Sequence, residues 1–182
     1  GQYEYMVRAR ERLAVVGPIT LAVIVLLLFI NFGRFAEVAI VMGTLPLALV
    51  GGLWLLYLLG FQLSVAVGVG FIALAGVAVE IGVVMLVYLN QAIDRRTVRS
   101  RSDIAEAVVE GALLRIRPVI MTVAATIGGL LPIMFSTGTG SEVMRRIAAP
   151  MVGGMISATL LTLVVIPALF QLWQQRGVAT RP

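Results

Sequence analysis

The sequence predicts an all-α fold, a polytopic membrane helix bundle with five transmembrane helices and a short amphipathic helix between two of them. Three observations carry this. Apolar residues make up 60% of the 182-residue chain and charged residues only 13%, the mean hydropathy is +1.03, and a water-soluble core of this length has no use for so much apolar surface. The apolar residues fall into five runs, each long enough to cross a hydrocarbon layer about 30 Å thick as a helix. The arginines lie mainly between those runs, as they do in membrane proteins.

Taken in order, residues 1–12 (GQYEYMVRARER) are polar, start without methionine and lack the layout of a signal peptide. They read as the exit from a domain further upstream. Residues 13–32 form the first span, with Pro18 expected in its opening turns, where a missing backbone donor does least harm. After a turn at Gly33 and Arg34 comes the second span, residues 35–59. Its Pro46, followed by Gly51 and Gly52, predicts a kink or a close helix crossing. Glu37 in its first turn is expected to reach the headgroup region without a buried partner, and Trp54 and Tyr57 suit the membrane interface.

The third span, residues 63–90, carries four glycines, Gly68, Gly70, Gly76 and Gly82, and one ionisable residue near its middle, Glu80. Residues 91–117 are hydrophilic and hold six arginines. Asp103 and Glu106 have the spacing of a helix-start capping pair, and Ile104, Ala107, Val108 and Gly111 then recur at helical spacing, so an amphipathic interfacial helix is expected there. Residues 118–135 form a short fourth span containing Thr122, Thr126 and Pro132. Residues 136–146 are a flexible turn and helix start, residues 147–173 the last span, with Gly153, Gly154 and Ser157 as packing positions, and residues 174–182 a polar tail.

Cysteine and histidine are both absent. This excludes disulfides, thiolate nucleophiles, histidine proton shuttles and Cys/His zinc sites built from these residues alone. The net charge of +5 comes from fourteen arginines and no lysine, and in a membrane protein it reports on topology rather than on nucleic-acid binding. Arg34, the six arginines between Gln91 and Arg117 and the two in the tail fall on one side. The positive-inside rule assigns that side to the cytoplasm and puts the N-terminus across the membrane from it. An odd number of spans without an internal repeat suggests one half of a larger transporter.

Glu80 is the first functional candidate. A charged carboxylate at mid-membrane costs at least ~2.5–3.5 kcal/mol on insertion scales, so such groups face protein or a water path and serve a function there. Ala73 and Gly76, seven and four residues earlier, share its helical face and let another helix approach closely. Burial disfavours the charged form, which suits the group to taking up and releasing a proton. The plainer reading is a neutral, hydrogen-bonded Glu80 that locks helix packing. Thr122 and Thr126, one turn apart, can hydrogen-bond across helices or hold a water, or they can simply pack. Met144, Met151 and Met155 lie on one stripe with Ala148. A thioether is a soft ligand for Cu(I) or Ag(I), although methionine in an apolar helix is more often packing material.

The stretch LPLALVGGLWLLYLLGFQLSVAVGVGFIALAGVAVEIGVVML, then RIRPVIMT, GLLPIMFSTGTGSEVMRRIAAPMVGGM and VVIPALF, resembles the last five transmembrane helices of the heavy-metal efflux pumps of the resistance-nodulation-division superfamily, with the copper/silver exporters as the nearest branch. The resemblance runs in order over nearly the whole chain. It implies the second half of a transmembrane domain in a secondary active transporter, a proton antiporter and not a catalytic enzyme. It further implies a homotrimer in the bacterial inner membrane, with a periplasmic N-terminus and a cytoplasmic C-terminus. The partners it implies are the lipid bilayer, the N-terminal half of the same pump, a periplasmic adaptor and an outer-membrane channel.

On the same resemblance the carboxylate of A-x-E-x-G-V-V-M, here Glu80, belongs to the proton relay; Thr122 is a candidate relay hydroxyl on the residue reading alone, to take over with water where the family's lysine is missing. The methionine of G-S-E-V-M, here Met144, is a ligand that passes metal through the membrane region. No resident cofactor is implied, and the cargo is Cu(I) or Ag(I). One position departs from the pattern, because the copper/silver branch has lysine directly after Arg-Pro where this chain has Val119. Other readings that remain open are a member exporting divalent metals or organic compounds, and a noncatalytic membrane anchor or assembly segment.

Overall fold

A computed structural model describes residues 1–96 and 100–179, with the side chains of residues 178 and 179 not described. Among the described residues there is no strand, and five helical stretches are long and apolar enough to span a membrane. They are built from α1 (Gln2–Phe32), α2 (Phe35–Ala48), α3 (Val50–Leu59), α4 (Val65–Asp94), α5 (Arg101–Met134), α6 (Ser141–Leu160), a π-helical turn (Leu161–Val165) and α7 (Ile166–Ala179). The chain divides into two compact units, Gly1–Ala39 and Ile40–Pro182.

In the first unit the polar residues 1–12 do not stand apart from the first span. They continue its helix, so Pro18 lies in the helix interior and not in an opening turn. The helix stops at Gly33, whose φ of 69° is readily adopted only by glycine and whose N–H caps the Phe29 carbonyl at 2.7 Å. Glu37 also departs from expectation, being only 2% exposed. The reason is phase: Glu37 lies on the side of α2 that continues through Val41, Thr44 and Ala48, all buried.

In the second unit α4 packs against α5, α6 and α7, while α3 packs against α6. Leu74 and Ile81 from α4, Val119 and Val123 from α5 and Met155 from α6 form one buried cluster. Between helices in lipid there is little hydrophobic driving force, so close van der Waals fit and small residues carry association. Glycines supply that fit here. A Cβ at Gly51 would collide with the Gly153 carbonyl and Ser157, one at Gly52 with the Pro150 carbonyl, one at Gly70 with the Ile147 carbonyl, and one at Gly154 with Leu74.

The second span is interrupted at Leu49, three residues after Pro46 and directly before the Gly51–Gly52 pair, and the close helix crossing there is present. Ser157 repairs the break from the neighbouring helix. Its hydroxyl accepts the Gly51 N–H at 3.2 Å and donates to the Ala48 carbonyl at 2.5 Å, with the Gly154 carbonyl at 3.0 Å also in reach.

The hydrophilic segment does not form an interfacial helix followed by a separate span, because helix α5 runs unbroken through Pro118. Its cap is Ser100, not Asp103: the Ser100 hydroxyl accepts the Asp103 N–H at 3.4 Å while the Asp103 carboxylate accepts the Ser100 N–H at 3.2 Å. The capping pair is therefore displaced by three residues from the D-x-x-E spacing, and Glu106 serves elsewhere. With Glu110 it grips Arg96, at 3.0 and 2.7 Å. Ile104, Ala107, Val108 and Gly111 are all buried, as their spacing predicts.

Candidate functional site

Helix α4 starts at Ser64, whose hydroxyl accepts the Val67 N–H at 3.4 Å. From that cap the 3.6-residue repeat turns Leu74, Ile81 and Met85 into the bundle and leaves Ala73, Gly76 and Glu80 together on another face. All three of these are exposed, and a Cβ at Gly76 would meet nothing within 4 Å. The small-residue face that carries Glu80 is thus present, but no described segment of this chain covers it. Among the described residues Glu80 has no hydrogen-bond or ion-pair partner.

Thr122 is exposed on α5, and its hydroxyl donates to the Pro118 carbonyl at 3.0 Å. Thr126 does the same one turn on, donating to the Thr122 carbonyl at 2.8 Å. Both hydroxyls turn back onto their own helix, as threonines in helices commonly do, and neither bridges to a neighbour. Val119, where the copper/silver branch has lysine, is fully buried among Leu74, Ile81, Val123 and Met155. Its surroundings are those of a packing residue.

The methionine stripe grades from surface to core. Met144, in the first turn of α6, is 49% exposed, Met151 packs against the central cluster, and Met155 is fully buried. Among the described residues no group of three or more Asp or Glu side chains comes together to hold a metal.

Two features are not anticipated by the sequence patterns. One is the Ser157 repair of the second span. The other is a cavity of about 10 Å³, lined by Thr44, Ala48, Val79, Ala158, Thr162 and Ile166 among others, beside the π-turn of the last span. Its volume is near the least that holds one water. Thr44 and Thr162 are 7% and 2% exposed, and Thr44 donates to the Val41 carbonyl at 2.9 Å. The recurrence of Val41, Thr44 and Ala48 on one face of α2 is the sequence signal for this side of the cavity.

Residues 1–174 match the AcrB/AcrD/AcrF family. Over 183 aligned residues the chain is 52% identical to the cation efflux system protein CusA of Escherichia coli K12, covering 97% of this chain and 18% of that protein. It is likewise 52% identical over 183 residues to the putative cation efflux system protein SilA of Salmonella typhimurium, with the same coverage of each. An X-ray crystal structure of a heavy metal efflux pump superposes with a TM-score of 0.83 at 44% identity, over 100% of this chain and 17% of that one. The chain spans less than one fifth of the length of these relatives.

Proposed function

The chain belongs to the AcrB/AcrD/AcrF family, and on that footing we propose that it forms the second-half transmembrane helices of a proton-driven heavy-metal cation efflux transporter. Glu80 takes up a proton from one side of the membrane and releases it to the other, and the free energy of that descent drives metal out. The observation that carries this reading is the uncovered Ala73–Gly76–Glu80 face of α4, where a carboxylate has small neighbours and no competing partner among the described residues. The N-terminal half of the same pump is the natural cover for it. The similarity to cation efflux proteins supports metal as the cargo.

Cu(I) or Ag(I) is the cargo that suits the one candidate ligand, because the Met144 thioether is soft and half exposed at the start of α6. Thr122 accompanies Glu80 through its hydroxyl once a water or the helices of the N-terminal half draw it from the Pro118 carbonyl. The pump works as a homotrimer in the bacterial inner membrane, with the N-terminus of these helices in the periplasm, and joins a periplasmic adaptor and an outer-membrane channel.

The test is Glu80→Gln in the full-length pump, which keeps size and hydrogen-bonding capacity while removing the titratable proton. In proteoliposomes carrying a pH gradient, metal-driven proton flux is expected to fall roughly a hundredfold, the scale on which removing a proton-transfer group acts, with assembly retained. Unaltered flux would remove Glu80 from the mechanism.

A further inference from the structure

Threonines inside helices commonly satisfy their hydroxyls on their own backbone, and Thr20, Thr44, Thr122, Thr126 and Thr159 all do so here. Thr162 does not. It is 2% exposed, and among the described residues its hydroxyl has no hydrogen-bond partner. A hydroxyl buried in that way costs free energy unless something answers it.

The backbone around Thr162 has the same deficit. In an α-helix its carbonyl would accept the Ile166 N–H, but in the π-turn that N–H bonds to the Leu161 carbonyl instead. The next donor along, five residues from Thr162, would be Pro167, which has no N–H. One residue of the last span therefore brings both a hydroxyl and a carbonyl that its helix leaves unanswered.

Thr162 lines the cavity of about 10 Å³, and Thr44 of the second span lines it too. The Thr44 hydroxyl proton is committed to the Val41 carbonyl at 2.9 Å, which leaves its oxygen free to accept. The remaining walls include Val41, Leu45, Val79 and Ile166 and are apolar. A space of this size admits one water and nothing larger, and water both donates and accepts, as these groups require. A bare cation would meet only neutral oxygens in the middle of a membrane span.

We propose that this cavity is a site for one ordered water, which accepts from the Thr162 hydroxyl and donates to the Thr44 oxygen and the Thr162 carbonyl. The water ties the last span to the second beside the widened turn. The site needs only the packing of these helices, so it stands or falls separately from the role of Glu80.

The test is made on the intact pump. A density map at a resolution that shows ordered waters is expected to hold a peak within hydrogen-bond reach of both threonine hydroxyls. Thr44→Val and Thr162→Val keep the side-chain shape and remove the hydroxyl. Each is expected to lower the melting temperature, and the double variant to fall no further than the worse single one, because both lose the same water. Thr159→Val, which removes a hydroxyl bonded to its own helix and absent from the cavity wall, is expected to melt with the parent. A dry cavity predicts instead that valine at 44 and 162 leaves the melting temperature unchanged or raises it, and that result overturns the proposal. An equal loss in Thr159→Val overturns it as well. Should the variants fail to assemble, the parent map decides alone, and a map without the peak sinks the site.

Discussion

The Ser157 hydroxyl and the Gly51 N–H meet at 3.2 Å across two helices, and the same hydroxyl reaches the Ala48 carbonyl on the other side of the break at Leu49. One side chain of the last span thus engages a backbone N–H and a backbone carbonyl on either side of the interruption at Leu49 in the second. Ser157→Ala removes the partner of a part-buried donor and acceptor, which is expected to destabilise the intact pump by about 1 kcal/mol. A lowered melting temperature in detergent, with faster hydrogen exchange at Gly51 and Gly52, checks this. An unchanged melting temperature would mean that water takes the place of the hydroxyl.

Two glycine-to-alanine changes should separate crossing from filler. At Gly153 a methyl meets the Gly51 carbonyl and the Leu55 side chain, backbone against backbone, so Gly153→Ala is expected to cost about 1–3 kcal/mol through overpacking. At Gly128 nothing lies within 4 Å, and the helix gains alanine's propensity, so Gly128→Ala is expected to be neutral or to stabilise by up to ~1 kcal/mol. Thermal unfolding of the two variants side by side reads the difference, and equal effects would count against the tight α3–α6 contact.

Met144→Leu conserves volume at a half-exposed position and is expected to leave stability within ~1.5 kcal/mol of the parent. Silver or copper efflux by the intact pump should nevertheless fall, because leucine has no thioether. Met155→Leu is the reverse case, since it touches the buried cluster and leaves the exposed Met144 thioether in place. Undiminished efflux in Met144→Leu would remove that residue from the metal path.

The grip of Glu110, and then Glu106, on Arg96 holds its guanidinium pKa above the ordinary value, mainly through the hydrogen bond to Glu110. A raised pKa on a cation contributes stability that is fully present below the unfolded value and lost only as pH climbs through the folded one. For arginine that window lies above any pH used for handling a protein, so the arginine side of the cluster adds no pH dependence between about pH 6 and 9. Salt should weaken the exposed cluster instead. Hydrogen exchange in the first turns of α5, compared at low and high salt for the parent and Arg96→Gln, is expected to converge at high salt.

The five spans are legible in the sequence because bilayer thickness imposes a length that hydropathy reports directly. The interruption after Pro46 and the crossing at Gly51 are legible too, since a missing N–H and a missing Cβ have few structural uses inside a membrane helix. The features that stay hidden are set by partners far along the chain. Ser157 shows only as a small residue until the second span is laid against it. Ser100 is hidden as a cap because Asp103, three residues later, is by sequence alone an equally good capping residue. Thr122 satisfies itself on the Pro118 carbonyl, which a search for interhelical hydroxyls does not anticipate. Glu80 stands out by its cost in lipid, yet the face it occupies is completed by no described part of this chain.

The π-turn at Leu161–Val165 has a consequence for insertions and deletions. A wide turn carries a surplus residue and so resets the angular phase of the helix beyond it by about 100°, one step of an α-helix. Ile166 and Phe170, just beyond the turn, are 2% and 0% exposed. Removing Val164 would rotate the C-terminal third of the last span as a block, swinging Phe170 toward lipid, whereas exchanging Val164 for another apolar residue would leave its heading intact. Chain count, not side-chain identity, is what that part of the molecule has to preserve.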